Sequence, residues 1–516
     1  MTRSAAAGLA LLLLTAAAQP ACAPAVRTSA AALEPEVVRV APPTGEREAD
    51  RASILAALDQ AGQGDTVQFA PGTYLVGEYI QVSIPRLTFL GHPTGTTLRG
   101  CDSADYEEME REFADFTAAG GVGGGTSLPD VGRCGLLELT GGQQIVRGLT
   151  FEHSYWGLIL GCCHDGSGYR VTDGGHLVEG NTFRSSMNGI RAGSDWPEPS
   201  LIRENRFIDV HSPIGVLGRT FHVLNNEISV REPDRVIFGH PGVAIAFGAE
   251  PFAASCERNV VAGNRIEGQP DGILLYIRPP GSCRDNIIRD NTIVVRRVWL
   301  PASSRGFSVD FSSEDDRSVV GVPLSLQVES GEGGILADNL IEGNRIIGGE
   351  GVAIEVLRAA RTRIVNNTIT GVRVRDPFPG NTLWGGQERW REANGSAIWI
   401  SPGSHGNEIV GHTFENIASH TVFLEGDSSH VEVRDAADAV RDLGSGNRVG
   451  TEMVRGPDAE VSGESAYESK FVEARGVRLH YLDFGGTGLP VIFVHDWYED
   501  AHTSMSFVPL FGVLLR

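Results

Sequence analysis

Leu177-Val178-Glu179-Gly180-Asn181-Thr182-Phe183 is followed, 24 residues on, by Leu201-Ile202-Arg203-Glu204-Asn205-Arg206-Phe207. The same phrase returns at Asn226, Asn264, Asn291, Asn344 and Asn367, each with Ile two residues later. Degenerate copies put Gly148 before Thr150 and His412 before Phe414. A second phrase, Gly-apolar-x-apolar, follows at Gly189, Gly242, Gly272, Gly351 and Gly395. Apolar residues within each phrase alternate, which is the period of a strand and not of a helix. One such turn cannot bury its own apolar face, so turns must stack about 4.8 Å apart and pair in parallel. Asn suits a corner because it tolerates the left-handed conformation and its amide can bond the next Asn in the stack. Spacings of 24, 21, 27 and 23 residues fit single turns. Gaps of 38, 53 and 45 residues fit turns carrying insertions, or an unrecognised turn.

These residues define an all-β chain whose body, 50–450, is expected to be a right-handed parallel β-helix. The chain is similar to the pectate-lyase-like right-handed β-helix superfamily. Ile54-Leu55-x-Ala57-Leu58, Gly64-Asp65-Thr66-Val67 and Pro71-Gly72-Thr73-Tyr74 resemble its N-terminal capping helix and first strand, with Asp50 as the helix cap. The resemblance implies a fold that hosts lyases, hydrolases, epimerases, esterases and binding proteins. Motifs that would choose among them are missing. The body has no Asn-x-Asp and no Asp-Pro-His-Asp, Asp315-Asp316 stands in a polar insertion, and Ser404-His405-Gly406 reads as a corner. Five Met and no Met/His cluster argue against copper.

A formal charge of −22 argues against nucleic acid, whose phosphates demand basic partners. The expected partner is an extracellular or cell-envelope polysaccharide, recognised by a stripe of outward residues, with cleavage left open. Counting four residues from the glycine of the second phrase gives Tyr276, Glu355 and Trp399, with Arg278 two beyond Tyr276. Tyr276 and Trp399 are expected to stack on sugars, joined by Trp384 and Trp390 from the insertion before Gly395. Glu355 is the candidate general acid or base, and Arg278 the candidate partner of a substrate carboxylate. A lyase or glycoside hydrolase is the enzyme class this implies. The alternative is a structural or adhesive envelope protein without catalysis. No cofactor is identified, and calcium alone is left open. His153 and Asp209 share another corner position, with Ser185 between them.

Residues 1–23 read as an export signal: Arg3, an apolar core over Leu9–Leu14, then Gln19-Pro20-Ala21-Cys22-Ala23. Cys22 is a lipidation candidate, the only route to a membrane, and competes with cleavage after an Ala-x-Ala. Residues 24–49 read as a tether. Six further cysteines suit disulfides in an oxidising compartment. Cys256 and Cys283 each lie eight residues before a repeat Asn, which places them on successive turns within bonding distance. Cys101–Cys134 is the looser companion, closing the insertion with Gly120–Gly125, while Cys162 and Cys163 have no assigned partner.

Beyond a linker at 451–469 the texture changes. Phe471–Tyr481 reads as strand, turn and strand, then come Gly485-Gly486-Thr487-Gly488, Val491–Val494 and His495-Asp496. This resembles the opening of an α/β-hydrolase, with Asp496 where that family has Gly. The chain carries no Gly-x-Ser-x-Gly, so residues 470–516 are expected to be a truncated fragment without chemistry, an incomplete fusion.

Overall fold

A computed structural model describes residues 35–118, 134–161, 174–194, 198–230, 243–249, 255–269, 271–277, 281–295, 298–299, 318–319, 322–328, 334–374, 392–427, 429–433, 440–451, 468–474 and 477–483. Cys22, Cys162, Cys163, Arg278, Trp384, Trp390 and His495 fall outside them. The chain divides into two units, Met1–Glu452 and Met453–Arg516.

The first unit is a parallel β-helix. A sheet of 14 strands stacks all its neighbours in parallel, beginning with Val37–Arg39 and ending with Arg448–Thr451. Its first rung lies inside the stretch expected to be a tether. Each turn then contributes to a second and a third sheet. Thr182–Ser194 and Arg206–Gly218 are long enough to run through both, bending at Ser185 and Asp209. Alternation sends Val178, Ile202, Val223, Ile288 and Ile341 inward, all buried. Phe151, Phe183 and Phe207 stack at 4.7 and 4.8 Å, one ring per turn. Three-residue strands suffice because every rung pairs above and below.

The long gaps are insertions, not missed turns. Glu227 pairs with Arg265, Thr292 with Arg345, and Thr368 with Thr413. Across all of them runs an amide ladder: Asn181 Nδ2 donates to Asn205 Oδ1 at 3.1 Å, Asn205 to Asn226, Asn226 to Asn264, and so on to Asn367. His412 ends it, its Nδ1 accepting from the Asn367 backbone N–H.

Two sequence expectations need correction here. The ladder Asn is not the left-handed residue. The residue before it is: Gly180, Glu204, Asn225, Gly263 and Asp290 have φ of 64°, 56°, 53°, 67° and 56°. The Asn side chain points inward, where its amide bonds both the next rung and the carbonyl of the previous strand, as Asn205 does to Val178. It follows that Leu149, not Gly148, stands at the Asn position: Thr150 pairs with Thr182, and Leu149 N–H donates to Asn181 Oδ1.

Helix α1, Arg47–Gln60, covers the N-terminal end with Ile54, Ala57 and Leu58. Glu46, not Asp50, holds the N-cap position. Buried Asp50 reaches back from the first turn to accept from Thr44 and Gly45, and also from Leu75 N–H. A second helix, α2 (Ser103–Ala118), was not legible in the repeat pattern. Asp102 Oδ1 accepts from Asp105 N–H there, a capping bond that marked its start. Cys101–Cys134 and Cys256–Cys283 are disulfides, with Cα separations of 4.9 and 4.3 Å. The second lies on paired rungs, as equivalent positions should. In the second unit, Glu468–Ala474 and Val477–Asp483 form an antiparallel hairpin.

Candidate functional site

Outward residues of the third sheet form rows that run along the stack. One row reads Arg191, Gly215, Ala246, Leu274, Ser325, Glu355, Trp399 and Phe423. Glu355 and Trp399 are therefore neighbours on adjacent rungs, as the sequence implied. Tyr276 is not in this row. It pairs with Gly248 and Gln327, two residues further along the strand.

The glycine of the second phrase caused the slip, because it marks two different places. Gly189 and Gly272 sit at the corner directly before the inward residue. A Cβ on Gly272 would lie 2.2 Å from the Pro323 carbonyl oxygen, so nothing larger fits. In Gly351-Val352-Ala353 and Gly395-Ser396-Ala397, Ala holds that corner and the glycine stands two residues earlier. Pairing of Ile273 with Leu324, and Leu324 with Ile354, fixes the offset.

The expected exposed stripe is largely covered. Glu355 is 4% exposed and Trp399 2%. Trp399 packs in a second, outer apolar cluster with Val322, Val352, Ala393 and Phe423. Its indole N–H donates to Glu425 Oε2 at 2.7 Å, and Ser325 Oγ donates to Glu355 Oε2 at 2.9 Å. Trp399 thus stands between two carboxylates, and Glu425 is partly exposed. Sequence reasoning missed Glu425, which lies one residue outside the repeat phrase. Tyr276 is partly exposed. Arg278, Trp384 and Trp390 lie outside the described residues. Residues 375–391, which hold both tryptophans, join Thr368–Thr370 of the second sheet to Ser396–Ile400 of the third.

The other end of the row carries a cluster with no repeat signature. Arg191 holds its guanidinium 5.5 Å over the Trp156 ring, and both side chains are partly exposed. Tyr155 meets Trp156 edge-on at 5.8 Å. Burial pushes the Tyr155 hydroxyl up to about 12, against the opposing pull of Arg191. Tyr79 and Glu138 lie buried beside them, and burial raises Tyr79 further. Between the two ends, Gly215 and Ala246 leave a low floor, over which Arg191 reaches.

The corner expected for His153, Ser185 and Asp209 exists, and all three residues have positive φ. His153 stacks on Tyr106 of α2 at 5.1 Å. Beside it, burial would raise the Glu152 carboxyl, but Arg184 and Arg99 overcome that and hold it below its usual range. This is a tie between rungs. Among the described residues, no three His, Cys, Asp or Glu side chains gather as metal ligands.

No family model and no curated protein matches this chain. Among solved structures it is similar to the Dettilon tailspike protein, at 15% identity and a TM-score of 0.46, over 79% of this chain and 68% of that one. It is similar to DFA-IIIase from Arthrobacter chlorophenolicus A6, solved with GF2, at 13% identity and a TM-score of 0.41, over 82% and 99%. The tailspike of E. coli bacteriophage HK620, solved with a pentasaccharide, is similar at 12% identity and a TM-score of 0.40, over 79% and 78%.

Proposed function

We propose that this chain is an exported glycan-recognising β-helix whose binding face is the outer surface of the third sheet. The observation that carries the reading is the Trp156–Arg191 pair at one end of a row that ends in the Ser325–Glu355 and Trp399–Glu425 bonds. An aromatic face stacks on sugar C–H groups, while guanidinium and carboxylate bond hydroxyls. Six rungs separate Arg191 from the rung of Trp399, where the partly exposed Glu425 accepts from the covered indole, about 29 Å at the strand spacing. That is the reach of a polysaccharide, not of one sugar. Tyr276 flanks the row, and Trp384 and Trp390 belong to the segment that joins it. Two disulfides support an oxidising compartment. Lipidation at Cys22 is part of the proposal and is read by the intact mass of the N-terminal peptide.

Glycan-array binding tests the face. Trp156→Ala, Arg191→Ala and Tyr276→Ala should each weaken binding while the thermal transition stays in place. Equal binding by the triple variant would remove the reading. Cleavage is a separate proposal, with Glu355 as acid–base group and Arg278 as carboxylate partner. Glu355→Gln should then stop product release and leave binding intact. Loss of both together would make Glu355 a positioning residue only.

A further inference from the structure

The outer face of the first sheet carries an aliphatic row that the glycan face does not use. Ile145, Leu177 and Leu201 lie on successive rungs, His222 follows, and Val260, Ile287 and Leu340 continue. Each is partly exposed, while the residues next to them in sequence point into the core. The outward row of the second sheet is different on the same turns: Thr182, Arg206, Glu227, Arg265, Thr292 and Arg345. The companion outward row of that sheet is mixed, with Arg184, Ile208, Ser229, Glu267, Val294 and Ile347, so neither row there is aliphatic throughout. A run of apolar residues on an exterior surface, broken only by His222, marks an interface.

Beside this row runs a charged one. Arg147, Glu179 and Arg203 occupy its first three rungs, Leu224 and Ala262 the middle, and Arg289 and Glu342 the last two. Consider a two-fold axis lying along the strand Phe221–Leu224. It carries each rung onto the rung equally far on the other side, and each row onto itself. Within one chain Arg147 and Arg203 bridge Glu179 at 2.7 and 3.1 Å; across the axis Arg147 then also faces Glu342 of the second copy, and Glu179 faces Arg289. Arg203 faces Ala262, so no like charges meet in this row. The aliphatic row also matches itself, with Ile145 on Leu340, Leu177 on Ile287, and Leu201 on Val260, while His222 meets His222 on the axis.

We infer that the first sheet is a self-association surface, on which a second copy of this chain docks face to face and antiparallel about the His222 rung. An isologous contact needs one self-complementary patch, and this row provides it in both shape class and charge order. The third sheets stay uncovered in such a pair, so the dimer presents two glycan faces.

A cysteine pair reads the register directly. Ile145 and Leu340 lie six rungs apart, about 29 Å within one chain, too far to bond each other. In the full-length Ile145→Cys/Leu340→Cys protein, oxidation should give a covalent dimer, and neither single variant should do so to the same extent. Sedimentation of the unmodified chain should show a dimer. Leu201→Lys should weaken it about a hundredfold or more, because it buries two charges per dimer. Glu342→Arg, which leaves the Arg147–Glu179 bridge of its own chain in place, should weaken it about twofold to tenfold by facing Arg147 of the second copy. A monomer at all concentrations overturns the inference. So does a dimer that survives Leu201→Lys, with melting curves confirming that the variant is folded. Crosslinking by the single cysteine variants alone overturns the antiparallel register. Glycan binding is measured separately, on either oligomeric state.

Discussion

His176 occupies the inward corner that Ser200 and Asn259 hold on later turns. It is 2% exposed, and neither ring nitrogen has a hydrogen-bond partner among the described residues. Burial lowers its pKa from 6.5 to about 4. The folded protein therefore keeps it neutral where the unfolded chain already binds a proton. Stability is whole above pH 6.5 and falls as pH drops toward 4, by about 3 kcal/mol in all. Urea titrations at neutral and acidic pH should show this loss, and His176→Asn should flatten it by offering the amide used elsewhere at this corner. An unchanged acid slope would mean that other groups carry it. Trp399 gives a second expectation. Trp399→Ala removes a buried indole and leaves Glu425 without its donor, so it should cost about 3 to 5 kcal/mol. The sequence placed Trp399 correctly as outward but could not show it covered, because its cover comes from Val322 and Ala393 on inserted segments. A variant that folds as well as the parent would return it to the surface.

At the scale of elements, the amide ladder does what the repeat predicted, by a route the repeat did not show. Asn291 accepts from both the backbone and side-chain N–H of Asn264, and donates to Val261 and Asn344. Asn291→Ala would strand two buried donors and should cost about 2 to 4 kcal/mol. Asn367→Ala would strand the same two donors on Asn344, while its backbone bond to His412 survives, and should cost about as much. No loss at either place would mean that the ladder does not act through its neighbours. Cys256–Cys283 closes a 27-residue loop and should add about 3 to 4 kcal/mol by the loop-closure estimate, read from the paired Cys→Ser variant. Its place was legible because cysteine and Asn kept one spacing on two turns. The offset of Tyr276 was not, since glycine serves two positions of the same corner and sequence alone does not say which. Helix α2 was hidden because it lies in a charge-rich insertion outside the period-two alternation.

At the scale of the molecule, a net charge of −22 opposes compaction. Raising salt from 0.01 M toward 1 M shortens the screening length from about 30 Å to about 3 Å, so the melting temperature should rise. A fall would show that ties such as Arg361–Asp338, bidentate at 2.8 Å, outweigh the general repulsion. The fold itself was readable almost whole, since nine of the fourteen rungs carry the repeat phrase. The proposed binding face was readable only in part, since it would be assembled across rungs by residues that obey no repeat. The gaps of 38, 53 and 45 residues bear on this division. Asn226, Asn291 and Asn367 each join the next rung as if nothing had been inserted. The frame counts rungs, not residues. Loops at these three places can therefore be swapped like cartridges, each bringing a new surface to an unchanged chassis while the coil stays as it is.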